Sequence, residues 1–99
     1  MPELKKYKMF INGEWVNSDT EKTFETLNPE NNKPWAVVPE ASASDVDRAV
    51  KAAQNAFEGE WPKLLPKERA RYLRMIGDKL RENAEHLGKI ETIDTGKLY

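Results

Sequence analysis

The sequence predicts an α+β segment: two N-terminal β-hairpins followed by two to three α-helices. Three observations predict it. Asn12-Gly13 separates two short β-prone runs, an Asn/Pro cluster separates two more, and from Ala41 onward apolar residues recur at helical spacing.

The first hairpin is read from Lys8-Met9-Phe10-Ile11, then Asn12-Gly13, then Glu14-Trp15-Val16. A tight hairpin turn needs φ > 0 at both central residues, and Asn and Gly accept that at least cost. The second is read from Lys22-Thr23-Phe24-Glu25-Thr26-Leu27 and Trp35-Ala36-Val37-Val38, with Asn28-Pro29-Glu30-Asn31-Asn32-Lys33-Pro34 supplying turn chemistry between them. Together the hairpins occupy residues 8–38. Val46, Ala49, Val50, Ala53, Ala56 and Phe57 then follow three- and four-residue steps, which places a helix over 42–58. Ser42 and Ser44 are its candidate N-caps, Asp45 and Asp47 suit the positive end of the helix dipole, and Gly59 is its stop. Pro66 fits the first turn of a further helical region over 66–95. Its stripe runs through Ala70, Leu73, Ile76, Leu80, Ala84, Leu87 and Ile90. Asn83 is a candidate cap within it, giving a helical hairpin or one bent helix, and Gly96 closes the run. Gly77 and Gly88 fall inside this region, where close packing against another element would explain them.

The chain has 99 residues, 16 Lys+Arg against 17 Asp+Glu, and a net charge of -1. That balance argues against a general electrostatic hold on nucleic acid or on a lipid surface. Mean hydropathy is -0.81, and no apolar run approaches the ~20 residues of a membrane span. There is no cysteine, so disulfides, thiolate metal sites and a cysteine nucleophile are absent from these residues. A cytoplasmic location is the default expectation. The stripes and hairpins offer more apolar surface than they can cover on each other, so the segment is expected to be the opening of a larger fold.

Few residues offer chemistry. His86, the single histidine, reads better as a solvated helix residue than as a general base, because no serine or cysteine nucleophile lies near it in sequence. The glycines form no phosphate-binding pattern. Arg69, Arg71, Arg74 and Arg81 are interleaved with Glu68, Asp78 and Glu82, which reads as a solvated, ion-paired face rather than an RNA-binding one. Trp15, Trp35 and Trp61 read as packing or interface anchors. From residue chemistry alone the chain carries neither a catalytic nor a cofactor-binding set.

The order of short motifs adds to this. Phe10-Ile11-Asn12-Gly13-Glu14-Trp15-Val16 precedes Phe24-Glu25-Thr26-Leu27-Asn28-Pro29 and Val38-Pro39-Glu40-Ala41-Ser42. Asp45-Val46-Asp47-Arg48-Ala49-Val50-Lys51-Ala52-Ala53, then Trp61, Arg69-Ala70, Leu73 and Glu91-Thr92-Ile93-Asp94-Thr95-Gly96-Lys97 follow. The succession resembles the N-terminal region of the NAD(P)-dependent aldehyde dehydrogenase superfamily, from about Lys8 to the last residue. Departures are Asn31-Asn32-Lys33-Pro34-Trp35, where a different turn and an aliphatic strand are usual, and Leu98, where proline is common.

The resemblance implies an α/β parent with a doubly wound cofactor domain, of which these residues are an incomplete N-terminal part. It implies oxidation of an aldehyde to a carboxylic acid with NAD or NADP, by a cysteine thiolate, a water-activating glutamate and an oxyanion hole, all lying beyond the matched segment. It implies a monovalent cation held by main-chain oxygens of the Thr26-Leu27 stretch and by Asp94; the bland alternative is that Asp94 only turns the chain before Gly96. It implies docking on the remainder of the dehydrogenase fold and a homo-oligomer, dimer or tetramer. The 99 residues by themselves are expected to be inactive. The alternative expectation is a non-catalytic interaction module that docks on a full-length subunit or self-associates through Leu73, Ile76, Leu80 and Leu87.

Overall fold

A computed structural model describes residues 4–99. Strands β1 (Lys5–Lys6), β2 (Met9–Ile11), β3 (Glu14–Val16), β4 (Thr23–Asn28) and β5 (Lys33–Pro39) precede helices α1 (Ala43–Glu58), α2 (Pro66–Glu82) and α3 (Ala84–Thr95). A single 3-10 turn over Trp61–Lys63 links α1 to α2.

Strands β2 and β3 form the first hairpin, closed between Ile11 and Glu14 by Asn12 (φ 53°) and Gly13 (φ 78°). Phe10 and Trp15 face each other across it with their rings stacked 4.8 Å apart. In the second hairpin, side-chain oxygens of Asn28 and Asn31 accept the N–H groups of Glu30 and Lys33, and Asn32 takes φ 56°. These are the local bonds that make asparagine a turn residue. The structure adds a strand to that hairpin: β1 pairs in parallel with β5, Lys5 opposite Ala36 and Lys6 opposite Val37, giving the sheet order β1-β5-β4. Two adjacent lysines carry no alternation of polarity, so this pairing left no mark in the sequence pattern.

Helix α1 starts at a reciprocal cap. Ser42 Oγ accepts the Asp45 N–H, and the Asp45 carboxylate accepts the Ser42 N–H. Asn83 separates α2 from α3, but its side chain does not cap α3; its amide donates back to the Lys79 carbonyl at 2.9 Å. Helix α3 ends on Gly96 at φ 76°, the left-handed conformation glycine adopts without strain.

Ala36, in the central strand, is the one buried apolar residue among the described residues. The stripes that the periodicity picks out are largely uncovered: Val50, Phe57, Leu73, Ile76 and Leu80 are each more than half exposed. Gly77 has open space where a Cβ would stand, so its expected close packing is not made by the described residues; a Cβ on Gly88 would stand 3.4 Å from the Tyr99 ring.

Candidate functional site

Asp94 lies in the last turn of α3 and reaches the face of the three-stranded sheet. Its Oδ1 accepts the Thr26 hydroxyl at 2.5 Å and the Trp35 indole Nε1–H at 3.1 Å. The indole contact depends on an irregularity in the ladder. Thr26 pairs with Ala36 but Leu27 pairs with Pro34, so Trp35 is the unpaired residue of a β-bulge. In a regular strand Trp35 and Ala36 would point to opposite faces. The bulge turns the indole to the side that Thr26 occupies. The local sequence favours this, because Pro34 has no N–H to give to the ladder. Tyr7 packs edge-on against the indole, centroids 6.2 Å apart. Beyond Asp94, a Cβ on Gly96 would stand 3.1 Å from Pro29 Cγ, so the exit of α3 is pressed against the β4–β5 turn.

The structure thus brings Thr26 and Asp94 together across 68 residues of sequence. Leu27 follows Thr26 across the register slip and offers only its main chain. The Thr26 hydroxyl and the Asp94 carboxylate are oxygen groups, the donor type a hard cation takes. The negative end of the α3 dipole favours positive charge there as well. Among the described residues no group of three or more His, Cys, Asp or Glu side chains could hold a metal. The fit is partial. Asp94 Oδ1 is shared by two protein donors, whereas Oδ2 has none among the described residues.

A second carboxylate is better enclosed. Asp45, 1% exposed, accepts the N–H groups of Ser42 and of Asp19 and pairs with Arg48. The Ser42 N–H in particular, with Arg48 and Asp19 contributing, holds its carboxyl below the ordinary value, against the opposing effect of burial. Every one of its partners is structural: the group ties the loop at Asp19 to the start of α1. Sequence reasoning saw Asp45 only as a dipole partner, because a bond between residues 26 positions apart has no local signature.

His86 is exposed and lines a shallow groove with Tyr72, Met75, Ile76, Leu80 and Leu87. Lys79 and Asn83 complete its lining, which holds no serine, cysteine or carboxylate for the imidazole to work with. Trp35 is the site residue the sequence reading missed as a hydrogen-bonding group; a proline early in a strand was the available signal for a bulge.

The arrangement has counterparts. The model of the aldehyde dehydrogenase family matches residues 15–99. Aldehyde dehydrogenase family 2 member C4 of Arabidopsis thaliana is 42% identical over 100 residues, covering 100% of this chain and 20% of that protein. An aldehyde dehydrogenase of Aspergillus niger is 48% identical over 89 residues, covering 90% of this chain and 18% of its own. Among solved structures, an aldehyde dehydrogenase mutant from Bacillus cereus superposes with a TM-score of 0.90 at 46% identity, over 94% of this chain and 19% of that one. A betaine aldehyde dehydrogenase mutant from Staphylococcus aureus in complex with NAD+ gives 0.86 at 41% identity, over 91% and 18%. The chain therefore spans about a fifth of the length of these relatives. Over that fifth, in residue order and in backbone course alike, the chain belongs to the aldehyde dehydrogenase family.

Proposed function

We propose that these residues serve as the N-terminal part of the cofactor-binding domain of an NAD(P)-dependent aldehyde dehydrogenase, which oxidises an aldehyde to a carboxylic acid. The observation that carries this reading is the superposition on the Bacillus cereus enzyme, in which the hairpins and helices follow one course at 46% identity. The chain has no cysteine, so the nucleophile of the reaction comes from residues outside it. Its own contribution is architectural. The sheet and α3 form a wall held together at Asp94, and the exposed helix stripes are the faces on which the remainder of the fold docks. Thr26 and Leu27, through main-chain oxygens, and Asp94, through its carboxylate, are the ligands of a monovalent cation that would strengthen that junction. The nucleotide is NAD or NADP; NAD+ is the one bound in the Staphylococcus aureus relative. We further propose a cytoplasmic enzyme that works as a homo-oligomer, dimer or tetramer, and that engages neither nucleic acid nor membrane. The balanced charge supports the first exclusion, and among the described residues no helix is long and apolar enough to cross a membrane.

A second reading draws on the exposure of Leu73, Ile76 and Leu80, at 63%, 57% and 56%: a non-catalytic module that docks on a complete subunit. One exchange separates the two. The matching N-terminal segment of the Bacillus cereus enzyme is replaced by residues 4–99, with the Staphylococcus aureus segment exchanged in parallel as a control. The dehydrogenase reading expects the chimera to form reduced nicotinamide on addition of acetaldehyde. A chimera that fails to assemble or turn over while the control succeeds would overturn it and leave the docking module.

A further inference from the structure

Asn12-Gly13, the turn of the first hairpin, carries a chemistry of its own. It is the one Asn-Gly step in the sequence. The side-chain amide carbon of asparagine can close a five-membered ring with the next main-chain nitrogen, and glycine, with no Cβ, leaves that nitrogen unhindered. Here the nitrogen is also unengaged: the Gly13 N–H meets no main-chain acceptor among the described residues. Both residues are exposed, and nothing stands within 4 Å of where a Gly13 Cβ would be. The turn itself is the remaining barrier. Asn12 at φ 53° and Gly13 at φ 78° make the primed turn of a two-residue hairpin. Its ψ of about 30° at the first central residue sets the Asn12 Cβ nearly opposite the Gly13 nitrogen, whereas ring closure eclipses the two. The hairpin that imposes this is weakly held. Strands β2 and β3 have three residues each and form a sheet of their own, and the Phe10 and Trp15 rings stacked across it are 61% and 68% exposed. A two-stranded hairpin on its own is marginal in water, so this one opens at small cost.

We propose that Asn12 is a site of spontaneous deamidation, gated by the opening of the β2–β3 hairpin. In the open state the Gly13 nitrogen gives up its proton to solvent base and attacks Asn12 Cγ. The new C–N bond closes a succinimide, and the side-chain nitrogen leaves as ammonia. Water then opens the ring at either carbonyl. Opening at the side-chain carbonyl leaves aspartate. Opening at the main-chain carbonyl leaves isoaspartate, in which the chain runs through the side-chain carbons. Nothing is oxidised or reduced, and a neutral amide becomes a carboxylate. Isoaspartate adds a methylene to the main chain, so the two-residue turn no longer holds Ile11 opposite Glu14. Ile11 and Asn12 line the gap between the hairpin and Arg48, Lys51 and Ala52 of α1, so the modification loosens the seat of the hairpin on that helix.

The test uses the complete native gene product, aged at neutral pH in heavy-oxygen water and then digested. The peptide spanning Asn12 should show the mass of an acid in place of an amide, with one solvent oxygen in the new carboxyl group. An isoaspartate-specific methyltransferase should label it. Trp15→Ala removes the stacked ring and leaves the reacting residues in place. It should speed the reaction about fivefold, the rate equivalent of one aromatic pair. A second measurement needs no substitution and decides the matter if Trp15→Ala does not fold. A synthetic peptide of residues 9–16 should react faster than the unmutated protein, and the same factor should protect the β2–β3 amides of the protein from hydrogen exchange. An Asn12 that stays an amide while the peptide reacts overturns the proposal. Equal loss at Asn17, which lies outside the turn, overturns the assignment to Asn-Gly. Aspartate formed without isoaspartate overturns the ring route. Equal rates in the unmutated protein and a folded Trp15→Ala overturn the gating by the hairpin.

Discussion

Separating residues 1–99 from any covering polypeptide should leave them without a cooperative fold. The accessible surface is 8479 Å², whereas a closed monomer of 11.4 kDa exposes about 5,800 Å². The radius of gyration is 17.0 Å, against about 12.6 Å for a compact chain of this length. The difference in surface is roughly 2,700 Å², and somewhat more than half of protein surface is apolar. At ~25 cal/mol per Å² of apolar area, the burial not made amounts to roughly 35 kcal/mol, several times the ~5–15 kcal/mol margin of a stable domain. The gap is concentrated where the helices present Val50, Phe57, Leu73, Ile76 and Leu80, and where Phe10 and Trp15 stack in the open. The assay is the purified chain in dilute buffer, followed by light scattering after gel filtration, by dye binding to apolar surface and by thermal circular dichroism. The expected result is association or dye binding, with a broad, non-cooperative melt. A monomer that melts sharply, binds no dye and has a Stokes radius fitting a compact 99-residue globule would refute the argument.

Two further predictions concern the ends of helices, and both are read in the Bacillus cereus chimera. Gly96→Ala places a Cβ at φ 76° and 3.1 Å from Pro29 Cγ; the left-handed conformation alone costs about 1–2 kcal/mol. Amide exchange in the last turn of α3 should therefore quicken about tenfold, and an unchanged rate would argue against a close Gly96–Pro29 contact. Asp45 titrates below the ordinary aspartate value of 3.8 in the folded chain, so it stabilises the fold above that value, and the contribution is lost as pH falls through the lower folded one. Protection of the Asp19 and Ser42 amides should be level near neutrality and decline only in acid below about pH 4, and Asp45→Asn should flatten that decline.

The parts of the fold legible in the sequence are those fixed by neighbours in the chain. Asn12-Gly13 announced the first turn, the Asn28–Asn32 stretch the second, and Ser42, Gly59, Pro66 and Gly96 the helix limits, because each satisfies a backbone requirement within a few residues. The relations that build the site are of another kind. The β1–β5 pairing, the bulge at Trp35 and the bond from Asp19 to Asp45 join segments whose local patterns say nothing of each other. Periodicity marked apolar stripes along the helices, but a stripe does not name what lies against it, and among the described residues Ala36 alone became buried core. For the site, the pairing of Thr26 with Asp94 came from the family resemblance, while the indole that shares the carboxylate needed the ladder register to be seen.

The fastening of α3 to the sheet also has a place in time. The hairpin turns close over a handful of residues, and such loops cost little entropy and form early. Asp94 meets partners 68 and 59 residues upstream, so its bonds await a far longer loop closure. During synthesis both hairpins are present before Asp94 exists to clasp them. The last helix is therefore the latch of this segment: it closes only after the sheet it fastens has formed.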